Sequence, residues 1–137
     1  MSEYAAARYL IYADDDEDDQ EIMKELLPEM VPGMGLITKD NGMEVLNFLN
    51  EISQQSEFPV LIILDLNMPG WDGIQTLKEI RKEGRYSNVP ILIFSTTNNA
   101  TDRQQALSEG AVGFVSKPSH YTELQTIIKS FTFYFDS

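Results

Sequence analysis

A chain of 137 residues with 42% hydrophobic and 23% charged residues is long enough to bury one core and short enough to be a single domain. Asp and Glu number 22 against 10 Lys and Arg, and the formal charge of -12 opposes a nucleic-acid backbone, so direct nucleic-acid binding is not expected. Zero cysteines exclude disulfides, thiolate metal sites and a cysteine nucleophile, and no apolar run approaches the roughly 18 residues of a membrane span. The opening Met-Ser-Glu-Tyr lacks the basic stretch and apolar core of a secretory leader, which places the protein in the cytoplasm without membrane insertion.

Tyr9-Leu10-Ile11-Tyr12-Ala13 is a short apolar run that reads as a first strand, and it runs straight into six acids, Asp14 to Asp19. Capping accounts for the later ones: Asp18 or Asp19 can cap the next helix, and Asp16 and Glu17 suit the positive end of its dipole. Asp14 and Asp15 sit instead at the strand's end, where they are either solvated surface or ligands of a hard cation such as Mg2+. Ile22, Met23, Leu26, Leu27 and Met30 then form a helical stripe, which Pro28 should kink or end. Leu36 to Lys39 is a second strand, Asp40-Asn41-Gly42 a turn, and Val45, Leu46, Leu49 and Ile52 mark a second helix. Ser53 to Phe58 is a polar loop.

Val60-Leu61-Ile62-Ile63-Leu64 is apolar without interruption, as expected of a strand buried on both faces of a parallel sheet. Asp65 ends it, and Pro69, Gly70 and Gly73 force an immediate turn that holds a tight loop beside the acid. Ile74, Leu77 and Ile80 give a third helix closed by Gly84, and Ile91 to Phe94 is another buried strand ending in Ser95-Thr96-Thr97. Asn98 to Glu109 reads as a helix with a thin apolar face, chiefly Ala106 and Leu107, stopped by Gly110. Val112 to Ser116 is a fifth strand ended by Lys117-Pro118, and a last helix carries Leu124, Ile127, Ile128 and Phe131. Five strands alternating with five helices imply an α/β fold: a parallel sheet with helices on both faces.

Acids therefore end strands one and three, a hydroxyl ends strand four and a lysine ends strand five, all on the sheet edge where such folds build their sites. That succession, carried by Tyr-Ala-Asp-Asp-Asp, Leu-Asp-Leu-Asn-Met-Pro-Gly-Trp-Asp-Gly, Phe-Ser-Thr and Gly-Phe-Val-Ser-Lys-Pro, resembles the receiver domain of response regulators in bacterial two-component phosphorelays. The resemblance spans about Arg8 to Phe135. It implies a doubly wound, flavodoxin-like (βα)5 fold with strand order 2-1-3-4-5. It also implies that Asp65 accepts a phosphoryl group from a histidine kinase or histidine phosphotransfer protein.

By the same resemblance Asp15 and Asp65 bind Mg2+ directly, Asp14 assists through water, and the backbone carbonyl of Asn67 completes the protein's share. Lys117 pairs with a phosphoryl oxygen, aimed inward by a cis bond to Pro118. Ser95 bonds the phosphoryl group through its hydroxyl, coupled to Phe114, whose alternative role is plain core filling. The surface of the fourth helix, fifth strand and fifth helix is the output face, and Asn67 and Thr97 tune phosphoryl lifetime. Such a domain is a switch, not an enzyme in the ordinary sense, although it catalyses its own Mg2+-dependent phosphorylation and dephosphorylation.

Only one helix follows Lys117, so residues 1–137 are expected to form a stand-alone receiver without an output domain, acting on a downstream protein. Phe131, Phe133, Tyr134 and Phe135 either face a partner or second copy, or simply cover the sheet. His120, the one histidine, reads as a cap or surface residue, and Trp71 as a reporter beside the site. Two rivals remain: an aspartyl phosphatase, which needs a second acid where Asn67 stands, and a binding module that has lost phosphorylation, in which an acid, hydroxyl or lysine is usually missing.

Overall fold

Five stretches of apolar sequence become the strands of one sheet, β1 (Tyr9–Ala13), β2 (Gly35–Lys39), β3 (Leu61–Asp65), β4 (Ile91–Ser95) and β5 (Gly113–Ser116), in a computed structural model that describes residues 8–136. The opening Met-Ser-Glu-Tyr lies outside the described residues. All neighbouring strands are parallel and the order is β2-β1-β3-β4-β5, as expected. Between them run α1 (Glu17–Met30), α2 (Gly42–Asn50), α3 (Gly73–Arg81) and α4 (Ala100–Ser108), and α5 (Tyr121–Ser130) follows β5 and leads into a short 3-10 helix, Phe131–Tyr134.

Side chains alternate across the sheet and divide the core in two. Leu10, Tyr12, Leu61, Ile63, Leu92 and Phe94 face Met23, Leu26 and Leu27 of α1 and Ile128 of α5. On the other face Ile11, Ala13, Ile62, Leu64, Ile91 and Ile93 meet Val45, Leu49, Ile74, Leu77, Ile80 and Ala106 from α2, α3 and α4. β3 and β4 are buried along their whole length, which is why their sequences show no polar alternation. The terminal aromatics divide: Phe131 is buried and Tyr134 and Phe135 pack beside it, whereas Phe133 is 84% exposed.

Register makes the strand ends level. Ala13 lies beside Leu64, Asp65 beside Phe94, and Ser95 beside Ser116, so the residues that follow β1, β3, β4 and β5 emerge along one edge.

Pro28 does not break α1, which continues to Met30. The proline sits in the last turn with its ring exposed, so the bond it removes is one that an exposed helix end replaces with water. Gly84 opens a short 3-10 turn, Gly84–Tyr86, after α3 has already ended.

The far end of α3 is held by Arg81, a residue the sequence pattern had not marked. Its guanidinium donates to the carbonyls of Tyr86 at 2.8 Å, Val89 at 2.9 Å and Gly110 at 3.0 Å, tying α3 to the approach to β4 and the turn before β5. Gly110 has φ of 104°, a left-handed conformation, and a Cβ there would meet the Arg81 side chain at 3.0 Å. Arg81→Ala strands three carbonyls and is expected to lower unfolding free energy by about 3 kcal/mol, with Arg81→Lys recovering less than half because one ammonium cannot span them. Denaturant titration of the two variants checks this.

Candidate functional site

Asp14, the first residue past β1, is fully buried, and every side of it is engaged. Its Oδ2 accepts from the Tyr12 hydroxyl at 2.5 Å and from Lys117 Nζ at 2.6 Å, while Oδ1 accepts the Asp16 N–H at 3.0 Å. Its carbonyl accepts from Gln20 Nε2 at 2.5 Å, and Gln20 also reaches Asp40. Asp15, next in the chain, is exposed. Asp65 ends β3 and is 5% exposed, backed by Gly73, where a Cβ would stand 2.7 Å from the Asp65 carbonyl oxygen. One carboxylate oxygen from each of Asp14, Asp15 and Asp65 can be chosen so that all lie within 4.8 Å of one another.

Lys117 enters this cluster from β5. Its Nζ lies 2.6 Å from Asp14, 2.9 Å from Asp19 and 3.4 Å from Asp65 Oδ1. The bond to Pro118 is trans, since no cis peptide occurs among the described residues, which corrects the expectation from the resemblance. The lysine is aimed instead by its own N–H, which extends the β4–β5 pairing to the Ser95 carbonyl at 2.6 Å, and by the carboxylates that receive its ammonium.

Ser95, buried at the end of β4, holds a local turn: its Oγ accepts the Thr97 N–H at 3.0 Å and lies 3.0 Å from the Thr97 hydroxyl. Phe114 is buried in the α2–α3–α4 layer, with the Arg103 guanidinium 5.5 Å over its ring. Asn67 is exposed and Trp71 half-buried in the loop after Asp65. His120 is the residue before α5, exposed, and makes no side-chain cap.

The six acids divide differently from the capping expectation. Asp16 is the cap of α1, accepting the Asp18 N–H at 2.9 Å, and Asp19 turns inward to Lys117. Tyr12 and Gln20 are likewise site residues that the sequence pattern did not single out. Tyr12 had one legible signal, a phenol in an aliphatic strand two residues before Asp14 and hence on the same side of it.

These contacts set the charges. Burial pushes the Asp65 carboxyl up to about 6, with Asp14 adding to the rise and Lys117 and the Asn67 N–H opposing it. Burial would raise Asp14 too, but the bonds from Lys117, Tyr12 and Asp16 hold it below the usual carboxylate range. Lys117 is raised: burial alone would lower it, and Asp14 and Asp19 outweigh that. Tyr12 is raised far above the usual phenol range, by burial first and then by Asp14. Three carboxylates gathered this closely, with one lysine to offset them, are a hard-oxygen donor set that fits Mg2+.

Residues 10–129 match the family model described as the response regulator receiver domain. The chain belongs to that family, the receivers of two-component response regulators. A transcriptional regulatory protein of Haemophilus influenzae, the CpxR homolog, is 37% identical over 121 residues, which are 88% of this chain and 48% of that protein. This chain thus spans about half the length of that relative. Among solved structures, the phosphorylated cyanobacterial phytochrome response regulator RcpA has a TM-score of 0.83 at 24% identity, covering 95% of this chain and 94% of its own. The Mn(2+)-bound form of response regulator Rcp1 has 0.80 at 22%, covering 95% and 96%. Both share the fold. Among the described residues no helix is long and apolar enough to cross a membrane.

Because the folded Asp65 titrates near 6 and an unfolded one near 3.8, its ionisation opposes folding, and that penalty grows as pH rises from about 4 to about 6, then stays constant. In chelator, Asp65→Asn is therefore expected to melt higher than wild type at pH 7.5, by about 1–3 kcal/mol of stability, with the difference vanishing near pH 4. Thermal melts across that range measure it.

Proposed function

We propose that Asp65 is the phosphoryl acceptor of this receiver, taking the group from a phosphohistidine of a histidine kinase or phosphotransfer protein. The observation that carries this reading is the cluster itself: Asp14, Asp15 and Asp65 within 4.8 Å of one another, with Lys117 Nζ 3.4 Å from the Asp65 carboxylate. An Asp65 oxygen attacks phosphorus, the P–N bond to the imidazole breaks, and the freed imidazole leaves with its nitrogen lone pair. A carboxylate needs no general base for this step at neutral pH.

Asp15 and Asp65 would hold Mg2+, with Asp14 assisting and the Asn67 carbonyl completing the protein's share. When bound, the ion neutralises charge building on the phosphoryl oxygens. Lys117 supplies a positive charge to a phosphoryl oxygen, and Ser95 gives its hydroxyl to the phosphoryl group in exchange for its bond with Thr97. Without a partner the same groups carry slow self-phosphorylation from small donors and self-dephosphorylation.

Moving Ser95 disturbs the end of β4, and Phe114 on β5 repacks in response. The surface of α4, β5 and α5 is then the output face. In support, Leu107, Val112 and Tyr121 are exposed there at 44%, 45% and 53%. The receiver acts in the cytoplasm on a downstream protein and not on nucleic acid, with Phe133 available to that partner or to a second copy.

Intact-mass spectrometry after incubation with Mg2+ and acetyl phosphate tests the acceptor. Wild type should gain one phosphoryl group, and neither Asp65→Asn nor a chelated sample should. If wild type gains nothing from acetyl phosphate or from a phosphohistidine protein, the chain is a phosphorylation-independent binding module.

A further inference from the structure

Lys117 has three N–H donors and, in the resting protein, its two shortest contacts are not to the acceptor. Asp14 takes one at 2.6 Å and Asp19 takes another at 2.9 Å, leaving Asp65 at 3.4 Å. To grip a phosphoryl group on Asp65, the ammonium must relax one of the two shorter contacts.

The two arms are not equivalent. The Asp14 side chain is 1% exposed and anchored by Tyr12 and the Asp16 N–H, so stripping the lysine from it would leave a buried carboxylate short of its cation. The Asp19 side chain is 37% exposed, and among the described residues Lys117 is the one donor to its carboxylate. Beside it lies a cavity of about 50 Å³, apolar apart from Tyr12, Asp19 and Lys117, and the exposed part of the Asp19 side chain gives the released carboxylate access to solvent.

We propose that Asp19 is a positioning residue of the phosphoryl site: it draws Lys117 toward α1 at rest, and occupation of Asp65 breaks that arm. The inference rests on Asp65 being the acceptor. Asp19 acts as a brake, because any group that needs Lys117 must first displace a carboxylate from it. Neutralising Asp19 therefore favours the loaded state, and the effect depends on contact with the lysine, not on the acidity of α1 in general.

The test is an equilibrium titration of beryllium fluoride, a phosphoryl mimic, in saturating Mg2+, followed by Trp71 fluorescence. Asp19→Asn should bind about three- to fivefold more tightly than wild type, the upper part of the range that loss of one partly exposed ion pair spans. Asp18→Asn removes the same charge one residue away, where the side chain does not touch Lys117, and should stay within about twofold of wild type. Initial rates with acetyl phosphate should rise in Asp19→Asn by a similar factor. Equal tightening in both variants reduces the effect to a general field and overturns the proposal, as does unchanged or weaker binding in Asp19→Asn. If wild type binds no beryllium fluoride and accepts no phosphoryl group, the acceptor reading fails and this inference falls with it; normal loading of wild type without the Asp19 effect sinks this inference alone.

Discussion

One ammonium among four carboxylates is the contact on which the described structure turns. Asp14, Asp15 and Asp65 would repel at the spacing the sheet gives them, and Lys117, 13% exposed, is the cation the chain itself provides there. Getting it there requires the topology. β1 and β3 must be neighbours for their terminal acids to meet, β5 must lie two strands beyond β3 so that a long side chain reaches back, and the registers must be level. The parallel order β2-β1-β3-β4-β5 meets all three conditions. The helices then serve the edge: α1 brings Asp19 and Gln20 to it, and α3 begins at Gly73 because only a residue without a Cβ can pass so close behind Asp65.

The strands were legible in the sequence for a simple reason. β3 and β4 are covered on both faces, so their runs are wholly apolar and could not be mistaken for surface. The caps of α2, α3 and α4 were not singled out in the same way, although Asn41, Asp72 and Asn99 each accept a backbone N–H as caps should. At Asp14 to Asp19 the same logic failed, because six adjacent acids are chemically interchangeable in one dimension. Which one caps and which one turns to Lys117 depends on where α1 lies against β5, a relation 98 residues long.

Other errors share that origin. Tyr12 looked like core, and is, but its hydroxyl also reaches a carboxylate, since one side chain can do both at a strand's end. The cis bond before Pro118 was carried over from resemblance alone, and this chain directs its lysine through strand pairing and charge. Pro28 counts for less in a final, exposed turn than in the middle of a helix. Arg81 was passed over because its partners are backbone carbonyls, and no residue code marks a free carbonyl.

Arg81 and Lys117 form a pair of opposites within one fold. Both are partly buried cations; burial lowers the affinity of Arg81 for its proton, and nothing charged offsets it, whereas the acids around Lys117 reverse the effect. The carbonyls that hold Arg81 have no charge to lose, so neither acid nor a divalent ion can unfasten it. The carboxylates that hold Lys117 respond to both. The molecule thus has a mechanical asymmetry: an inert rivet at the foot of α3 and a responsive latch at its head.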